Sequence, residues 1–106
     1  MPMNTCLFCK IIAKEIPSTM VYEGSQAVGF KDIKPKAKHH ILIVPRKHIE
    51  SVMTMEEGDQ ALMGHLIWDA KKIAEDLGLP GYQLKFHVGR HGGQEIDHVH
   101  LHLLSD

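Results

Sequence analysis

Three histidines recur at every second residue near the end of the chain, at His98, His100 and His102, and Val99 and Leu101 separate them. Side chains of an extended strand alternate between its two faces, so the three imidazoles share one face and the apolar residues share the other. A row of imidazoles stabilises a strand poorly, because each ring is polar and neighbouring charged rings repel each other. The pattern therefore predicts a strand with one core-packing face and one face of metal-binding or catalytic histidines.

The length and charge of the chain restrict its class. A chain of 106 residues with 43% hydrophobic and 24% charged residues predicts one globular domain, spanning residues 1–106. The formal net charge of −1 argues against bulk attraction to nucleic acid. No segment suggests a membrane span, and residues 1–5 lack the basic and apolar regions of a signal peptide. We therefore expect a cytoplasmic protein with neither a nucleic-acid nor a membrane partner.

The spacing of apolar residues predicts an α+β fold around one antiparallel sheet. We expect a short helix over Phe8–Lys14, ended by Pro17, and a long helix that continues to Leu77 and ends at Gly78. Thr54 and Glu57 resemble a capping box before the long helix. The predicted strands are 20–23, 27–31, 40–45, 82–88 and the histidine strand.

The two cysteines, Cys6 and Cys9, have C-x-x-C spacing. In a chain without a secretion signal, this spacing indicates a metal or redox site more than a structural disulfide. A thioredoxin-like motif follows a strand, whereas this pair opens the chain, so zinc is the preferred interpretation. Two reduced, buried cysteines are the alternative.

The histidines and the glycine-rich segment before them are suited to phosphate chemistry. A neutral imidazole is a competent nucleophile toward phosphorus, and its second nitrogen can be held by a hydrogen bond. Gly92 and Gly93 allow backbone N–H groups to approach phosphate oxygens, and Gln94 adds a side-chain donor. A metal-binding or merely polar strand is the alternative to catalysis.

The region around the histidines resembles the signature of the histidine-triad (HIT) family, His-x-His-x-His followed by apolar residues. The similarity covers about Cys6 to Leu104 and is strongest to the Hint (nucleotide-binding) branch. The matching runs are Phe8-Cys9-Lys10-Ile11-Ile12, Glu15-Ile16-Pro17, Phe30-Lys31-Asp32-Ile33, His40 through His48, Asp76-Leu77-Gly78 and Gly92 through Leu104.

This resemblance implies a HIT-like fold of about five antiparallel strands with one short and one long helix, whose sheets join in a homodimer. It implies cleavage of purine nucleoside 5'-phosphoramidates, with His100 as nucleophile, His102 on the phosphate, and His40 and Gln94 assisting. The implied nucleotide-binding residues are Phe8, Ile11, Ile16, Phe30, Asp32, Ile33, Leu42, His87, Gly93, Gln94, Glu95, His100 and His102. Asp32 is the implied acceptor for the ribose hydroxyls.

The resemblance also implies a structural zinc ion, one per chain, held by Cys6, Cys9, His48 and His98. Two positions depart from the family pattern: His87 replaces a common Asn, and Glu95 replaces the Ser of animal relatives. Three other functions stay open. They are a nucleotide- or metal-binding scaffold with incidental turnover, a dinucleoside polyphosphate hydrolase and a nucleotidyltransferase.

Overall fold

The structure, a computed structural model, describes residues 5–106. Residues 1–4, which hold most of the segment in which we expected no signal peptide, lie outside the described residues. The elements are α1 (Leu7–Ile12), β1 (Met20–Glu23), β2 (Ala27–Lys31), β3 (His39–Pro45), α2 (Gln60–Asp76), β4 (Gln83–Phe86) and β5 (Leu101–Ser105). Short 3₁₀ turns cover Val52–Thr54, Glu57–Asp59 and Arg90–Gly92.

The five strands form one sheet in the order β1-β2-β3-β5-β4, and every neighbouring pair is antiparallel. This confirms the predicted five-stranded antiparallel sheet with one short and one long helix. The register places His102 between Leu42 of β3 and Lys85 of β4. None of the helices described over residues 5–106 combines the length and the apolar character that crossing a membrane requires.

One face of the sheet packs against α2 and forms an apolar core. Ile41 and Ile43 of β3 meet Leu66 and Ile73 of α2 there, and all four are almost fully buried. The helix lies very close to β2, because a Cβ on Gly29 would lie 2.8 Å from the Ile73 Cδ1 atom. Val99, Leu101 and Leu103 also belong to this core, which confirms that the residues between the histidines face away from them.

The opposite face carries α1 and a smaller apolar cluster. Phe8 and Ile11 of α1 pack against Val28, Phe30, Leu42 and Val44 of β2 and β3. The Phe8 ring also contacts the His98 and His100 rings edge-on, with centroids 6.1 and 5.0 Å apart. The short helix therefore covers the beginning of the histidine motif.

Four differences from the expected element boundaries exceed one residue. Strand β5 begins at Leu101, so only His102 of the three histidines lies within it. Helix α1 ends at Ile12, and Lys14, with φ of 64°, reverses the chain before Pro17 is reached. Strand β4 is confined to Gln83–Phe86.

The fourth difference is the start of α2. Thr54 is the last residue of a capping box that begins at Ser51, and a second box joins Glu56 to Asp59. Asp59 is the N-cap residue of α2. The predicted Thr54–Glu57 capping box is therefore wrong. The expected helix end is confirmed, because Gly78 adopts φ of 68° directly after the C-cap residue Leu77.

Candidate active site and candidate metal centre

A cavity of about 470 Å³, here called the triad pocket, opens on the α1 face of the sheet. Every implied catalytic or nucleotide-binding residue except Gln94 lines it. These residues are Phe8, Ile11, Ile16, Phe30, Asp32, Ile33, His40, Leu42, His87, Gly93, Glu95, His100 and His102. The structure therefore brings together residues that are separated by up to 94 positions in the chain.

The pocket has an apolar end and a polar floor. Phe8 meets Phe30 edge-on at 5.5 Å, and both side chains are buried at the rim of the smaller core. Ile33 is 87% exposed and stands at the mouth of the pocket. Asp32 holds its own turn, since its Oδ1 atom accepts the N–H of Lys34 at 2.8 Å.

His100 is held by the backbone of the histidine motif itself. Its Nδ1 atom lies 2.7 Å from the carbonyl oxygen of His98. A carbonyl oxygen only accepts hydrogen bonds, so Nδ1 carries the proton and Nε2 of the neutral ring keeps its lone pair. Burial lowers the pKa of His100, despite the opposing effect of this hydrogen bond. The ring is therefore neutral at pH 7 and nucleophilic at Nε2.

His102 lies among three other imidazole rings. Its ring centroid is 4.9 Å from that of His100 and 4.6 Å from that of His87, and its Nδ1 atom is 2.9 Å from Nε2 of His40. Burial, followed by the neighbouring imidazoles, lowers the pKa of His102 to about 4. Burial also lowers the pKa of His40, against the raising effect of Asp32. His40 and His102 are consequently neutral at physiological pH.

The glycine-rich loop differs from the expected phosphate cradle. The backbone N–H groups of Gly92, Gly93 and Gln94 donate to the carbonyl oxygens of Gly89 and Arg90, each at 3.0 Å. They are therefore engaged within the loop and do not face a ligand. Gly93 adopts φ of 91°, a conformation that favours glycine. A Cβ added at Gly93 would lie 3.6 Å from the Nδ1 atom of His87.

Gln94 also has a different place from the one expected. Its side chain is buried, accepts the N–H of Gly89 at 3.0 Å, and donates to the carbonyl oxygens of Glu50 at 2.6 Å and Ile96 at 2.9 Å. Both amide hydrogens are thus used on backbone carbonyls outside the pocket. In this conformation Gln94 shapes the loop and offers no donor to the pocket.

A second group of side chains, here called the Cys/His cluster, lies beside α1. It consists of Cys6, Cys9, His48 and His98, whose ligand atoms all lie within 4.8 Å of one another. The Nδ1 atom of His98 is 3.3 Å from the Cys6 Sγ atom and 3.1 Å from Nδ1 of His48. Tetrahedral zinc holds S and N ligands about 3.6 Å apart and two N ligands about 3.3 Å apart. The four residues are therefore positioned to hold a metal ion.

A backbone carbonyl prepares His98 for that role. Its Nε2 atom donates to the carbonyl oxygen of Pro45 at 2.8 Å, which leaves the lone pair on Nδ1, toward the two sulfurs. Burial lowers the pKa of His98 to about 4, so the ring is neutral. The sulfur of Cys6, the N-cap residue of α1, also accepts the N–H of Cys9 at 3.4 Å. The helix start and the cluster therefore depend on the same residues.

Sequence reasoning missed several lining residues, among them Leu7, Ser18, Lys85 and Leu104. Lys85 contributes because the register places it opposite His102, and strand pairing is not readable from one sequence. The exposed lysines at 34 and 36 also line the pocket, although charged residues in a loop are typical of a solvated surface. Their position in the turn after Asp32, the implied ribose acceptor, is the feature of the sequence that could have indicated this.

Comparison with known proteins identifies the family. A family profile described as "Scavenger mRNA decapping enzyme C-term binding" matches residues 5–106. The chain is 41% identical to Protein HitA of Neisseria gonorrhoeae over 104 residues, which cover 97% of both chains. It is 44% identical to the purine nucleoside phosphoramidase of Escherichia coli K12 over 101 residues, which cover 93% of this chain and 85% of that protein.

Solved structures agree with the sequence matches. A HIT family hydrolase from Legionella pneumophila Philadelphia 1 superposes with a TM-score of 0.92 at 46% identity, covering 95% of this chain and 92% of that one. A histidine triad protein from Clostridium difficile superposes with a TM-score of 0.95 at 38% identity, covering 100% and 94%. The chain therefore belongs to the histidine-triad family.

Proposed function

We propose that this member of the histidine-triad family hydrolyses the P–N bond of purine nucleoside 5'-phosphoramidates and releases AMP or GMP and an amine. The observation that carries the proposal is the Nε2 lone pair of His100, set by the 2.7 Å hydrogen bond from Nδ1 to the His98 carbonyl, in a pocket with an apolar end. The E. coli relative described as a purine nucleoside phosphoramidase supports the same chemistry.

The shape of the pocket suits a nucleoside monophosphate. The base would pack among Phe8, Ile11 and Phe30, whose buried rings and methyl groups match its flat apolar faces. Asp32 would accept hydrogen bonds from the ribose hydroxyls. The α-phosphate would then lie over β5, beside His100 and His102, which line the same pocket.

His100 carries the covalent step in this proposal. Its Nε2 atom attacks the α-phosphorus, an Nε2–P bond forms, and the P–N bond breaks as the amine leaves with a proton taken from solvent, which the later attack of water returns. Water then attacks the nucleotidyl-histidine, releases the nucleoside monophosphate and returns the neutral imidazole. The buried ring needs no deprotonation before the attack, because its pKa is already lowered.

The same proposal assigns zinc to the Cys/His cluster as a structural ion, one per chain. Two thiolates and two neutral imidazoles are a common zinc ligand set, and the Pro45 hydrogen bond orients His98 for it. When bound, the ion would tie α1 to the histidine motif and take no part in the chemistry. Thiolate ligands also fit a reducing compartment such as the cytoplasm.

A substrate panel with trapping of the intermediate tests the proposal. Adenosine and guanosine phosphoramidates should release AMP and GMP, and mass spectrometry of acid-quenched protein should find a nucleotidyl group on the peptide that contains His100. Absence of turnover with every phosphoramidate, at full nucleotide binding, would favour a binding scaffold instead.

A second candidate is hydrolysis of dinucleoside polyphosphates. The observation that favours it is the set of four lysines that line the pocket, which suit a substrate of higher negative charge; they are Lys31, Lys34, Lys36 and Lys85. The same panel should include diadenosine polyphosphates. A higher kcat/KM for these than for the phosphoramidates would favour dinucleoside polyphosphate hydrolysis as the function.

We also propose a homodimer joined through β4 and α2. Strand β4 lies at one edge of the sheet, and Trp68 and Ile67 of α2 are 58% and 46% exposed. Such exposed apolar side chains beside an unpaired edge are typical of an interface. Leu66 of the same helix belongs to the core and is not part of this surface. Sedimentation should give a dimer at micromolar concentration and a monomer for Trp68→Lys; a monomeric wild-type protein contradicts the dimer.

A further inference from the structure

We propose that the backbone N–H of Lys36 is a positioning group for the triad, because it selects the protonated nitrogen of His40 and, through His40, that of His102. Three hydrogen-bonding groups in series carry this inference, and none of them belongs to the loop of residues 89–94. The inference rests on the proposed function in one respect: His102 is taken to contact the phosphate.

The first link joins the loop after β2 to His40. The N–H of Lys36 donates to the Nδ1 atom of His40 at 3.1 Å. A backbone amide can only donate, so Nδ1 must hold a lone pair, and a neutral imidazole then carries its proton on Nε2. His40 is buried, so water does not compete for this position.

The second link joins His40 to His102. The Nε2 atom of His40 lies 2.9 Å from Nδ1 of His102 and 3.5 Å from the Oδ2 atom of Asp32. The carboxylate reinforces a proton on Nε2 of His40. Because that proton is donated to His102, Nδ1 of His102 accepts, and the proton of its own neutral ring lies on Nε2.

The third link ends in the triad pocket. The Nε2 atom of His102 is buried and has no hydrogen-bond partner among residues 5–106. A buried N–H without a partner is unfavourable, and His102 lines the pocket. A phosphate oxygen is the acceptor that this N–H lacks. The chain of hydrogen bonds therefore begins at Lys36 and ends as a donor to the substrate.

This arrangement couples nucleoside recognition to phosphate recognition. The turn that begins at Asp32, the proposed ribose acceptor, is closed by the N–H of Lys34 and continues to the N–H of Lys36. If the turn opened, His40 could carry its proton on Nδ1 instead. His102 would then donate to His40 and present a lone pair to the phosphate, which repels it.

A metal ion is the competing interpretation of these side chains, because Asp32, His40 and His102 also lie close enough to hold one. A metal on Nε2 of His40 needs a lone pair at that atom. Neutral imidazole has one lone pair, and the hydrogen bond from Lys36 already occupies it on Nδ1. The Lys36 contact therefore favours the series of hydrogen bonds over a metal site.

Two substitutions at position 36 distinguish the contribution of the backbone N–H from that of the side chain. Lys36→Pro removes the N–H, whereas Lys36→Ala removes the amine and keeps the N–H. Nitrogen-15 spectra of the imidazoles report which nitrogen of each ring carries the proton. We expect Lys36→Ala to keep the wild-type spectra of His40 and His102, and Lys36→Pro to change both. Relative to Lys36→Ala, Lys36→Pro should lower kcat on the order of a hundredfold, the usual cost of losing one donor to the reacting group.

Unchanged imidazole spectra in folded Lys36→Pro would overturn the proposal, and so would equal changes in both variants. Should Lys36→Pro fail to fold, the wild-type protein decides: a scalar coupling across the hydrogen bond between the Lys36 amide nitrogen and Nδ1 of His40 is expected, and a proton found on that Nδ1 atom contradicts it. These spectra do not require turnover. A protein that hydrolyses no phosphoramidate therefore fails the proposed function without deciding this inference.

Discussion

His98 and His100 are two residues apart and both are buried, yet their rings are prepared for opposite uses. His98 donates from Nε2 to the Pro45 carbonyl and keeps its lone pair on Nδ1, facing the Cys/His cluster. His100 donates from Nδ1 to the His98 carbonyl and keeps its lone pair on Nε2, facing the triad pocket. The position of a backbone carbonyl, and not the residue type, therefore decides which nitrogen of each ring keeps the lone pair.

The largest expected effect is on the triad-pocket side of this comparison. His100→Ala should lower kcat/KM at least about a thousandfold, or about 4 kcal/mol of transition-state stabilisation, because it removes the attacking nitrogen. AMP binding should persist, since the apolar end of the pocket stays intact. His91→Ala, which removes an exposed histidine outside the pocket, is the matched control. Full activity of His100→Ala, or an adduct mapped to His102, would refute the assignment.

The next effect is on the Cys/His side and should appear in stability before activity. Cys9→Ser removes one thiolate, and metal binding by thiolates is coupled to folding, so the melting temperature should fall on the order of 10 °C. Elemental analysis should show the loss of zinc from the variant and one zinc per chain in the wild type. Lys10→Ala, on the same helix, is the control. Equal metal content in wild type and Cys9→Ser would exclude the site.

A smaller effect is expected from a substitution in the loop of residues 89–94, which supports the pocket but contains none of its reacting groups. Gln94→Leu leaves the N–H of Gly89 and the carbonyl oxygen of Glu50 without partners, and each unsatisfied group costs about 1–3 kcal/mol. The Ile96 carbonyl oxygen keeps its hydrogen bond from the N–H of His98. We expect a lower unfolding free energy together with a loss of kcat, because His87 and the pocket wall rest on this loop. Glu75→Gln weakens an ion pair to Lys71 on α2, away from this loop, whose side chains are 62% and 48% exposed, and it should change stability by less than about 1 kcal/mol. Equal effects of the two variants would contradict this account.

The smallest effect is a pH dependence of stability. The pKa of His102 is about 4 in the folded chain, below its ordinary value of 6.5. Between these values the unfolded chain binds a proton that the folded chain refuses, so the unfolding free energy falls as the pH is lowered, by about 1.4 kcal/mol per pH unit for each such histidine. Chemical denaturation from pH 7 to 5 should show a steeper decline for wild type than for His102→Gln. Parallel curves would contradict the buried neutral ring.

The sequence predicted what depends on local pattern. Alternation separated Val99, Leu101 and Leu103 from the histidines, and the structure confirms both faces. The resemblance gave the members of the triad pocket and the Cys/His cluster by number. It could not give hydrogen-bond direction: the expected donors at Gly92, Gly93 and Gln94 already donate to backbone carbonyls of Gly89, Arg90 and Glu50. The contact of Lys36 with His40 could not be predicted from the sequence either, because it is made by a backbone N–H that any residue except proline supplies.

Backbone carbonyls give His98 and His100 opposite protonated nitrogens, and one spectrum of the imidazoles can verify this. Nitrogen-15 correlation of the imidazoles in wild-type protein near pH 7 should show the proton of His98 on Nε2 and that of His100 on Nδ1. His98→Asn and His100→Asn assign the two signals. A proton on Nε2 of His100, or on Nδ1 of His98, would contradict the account, because the nucleophile and the metal ligand would then lack the lone pairs assigned to them.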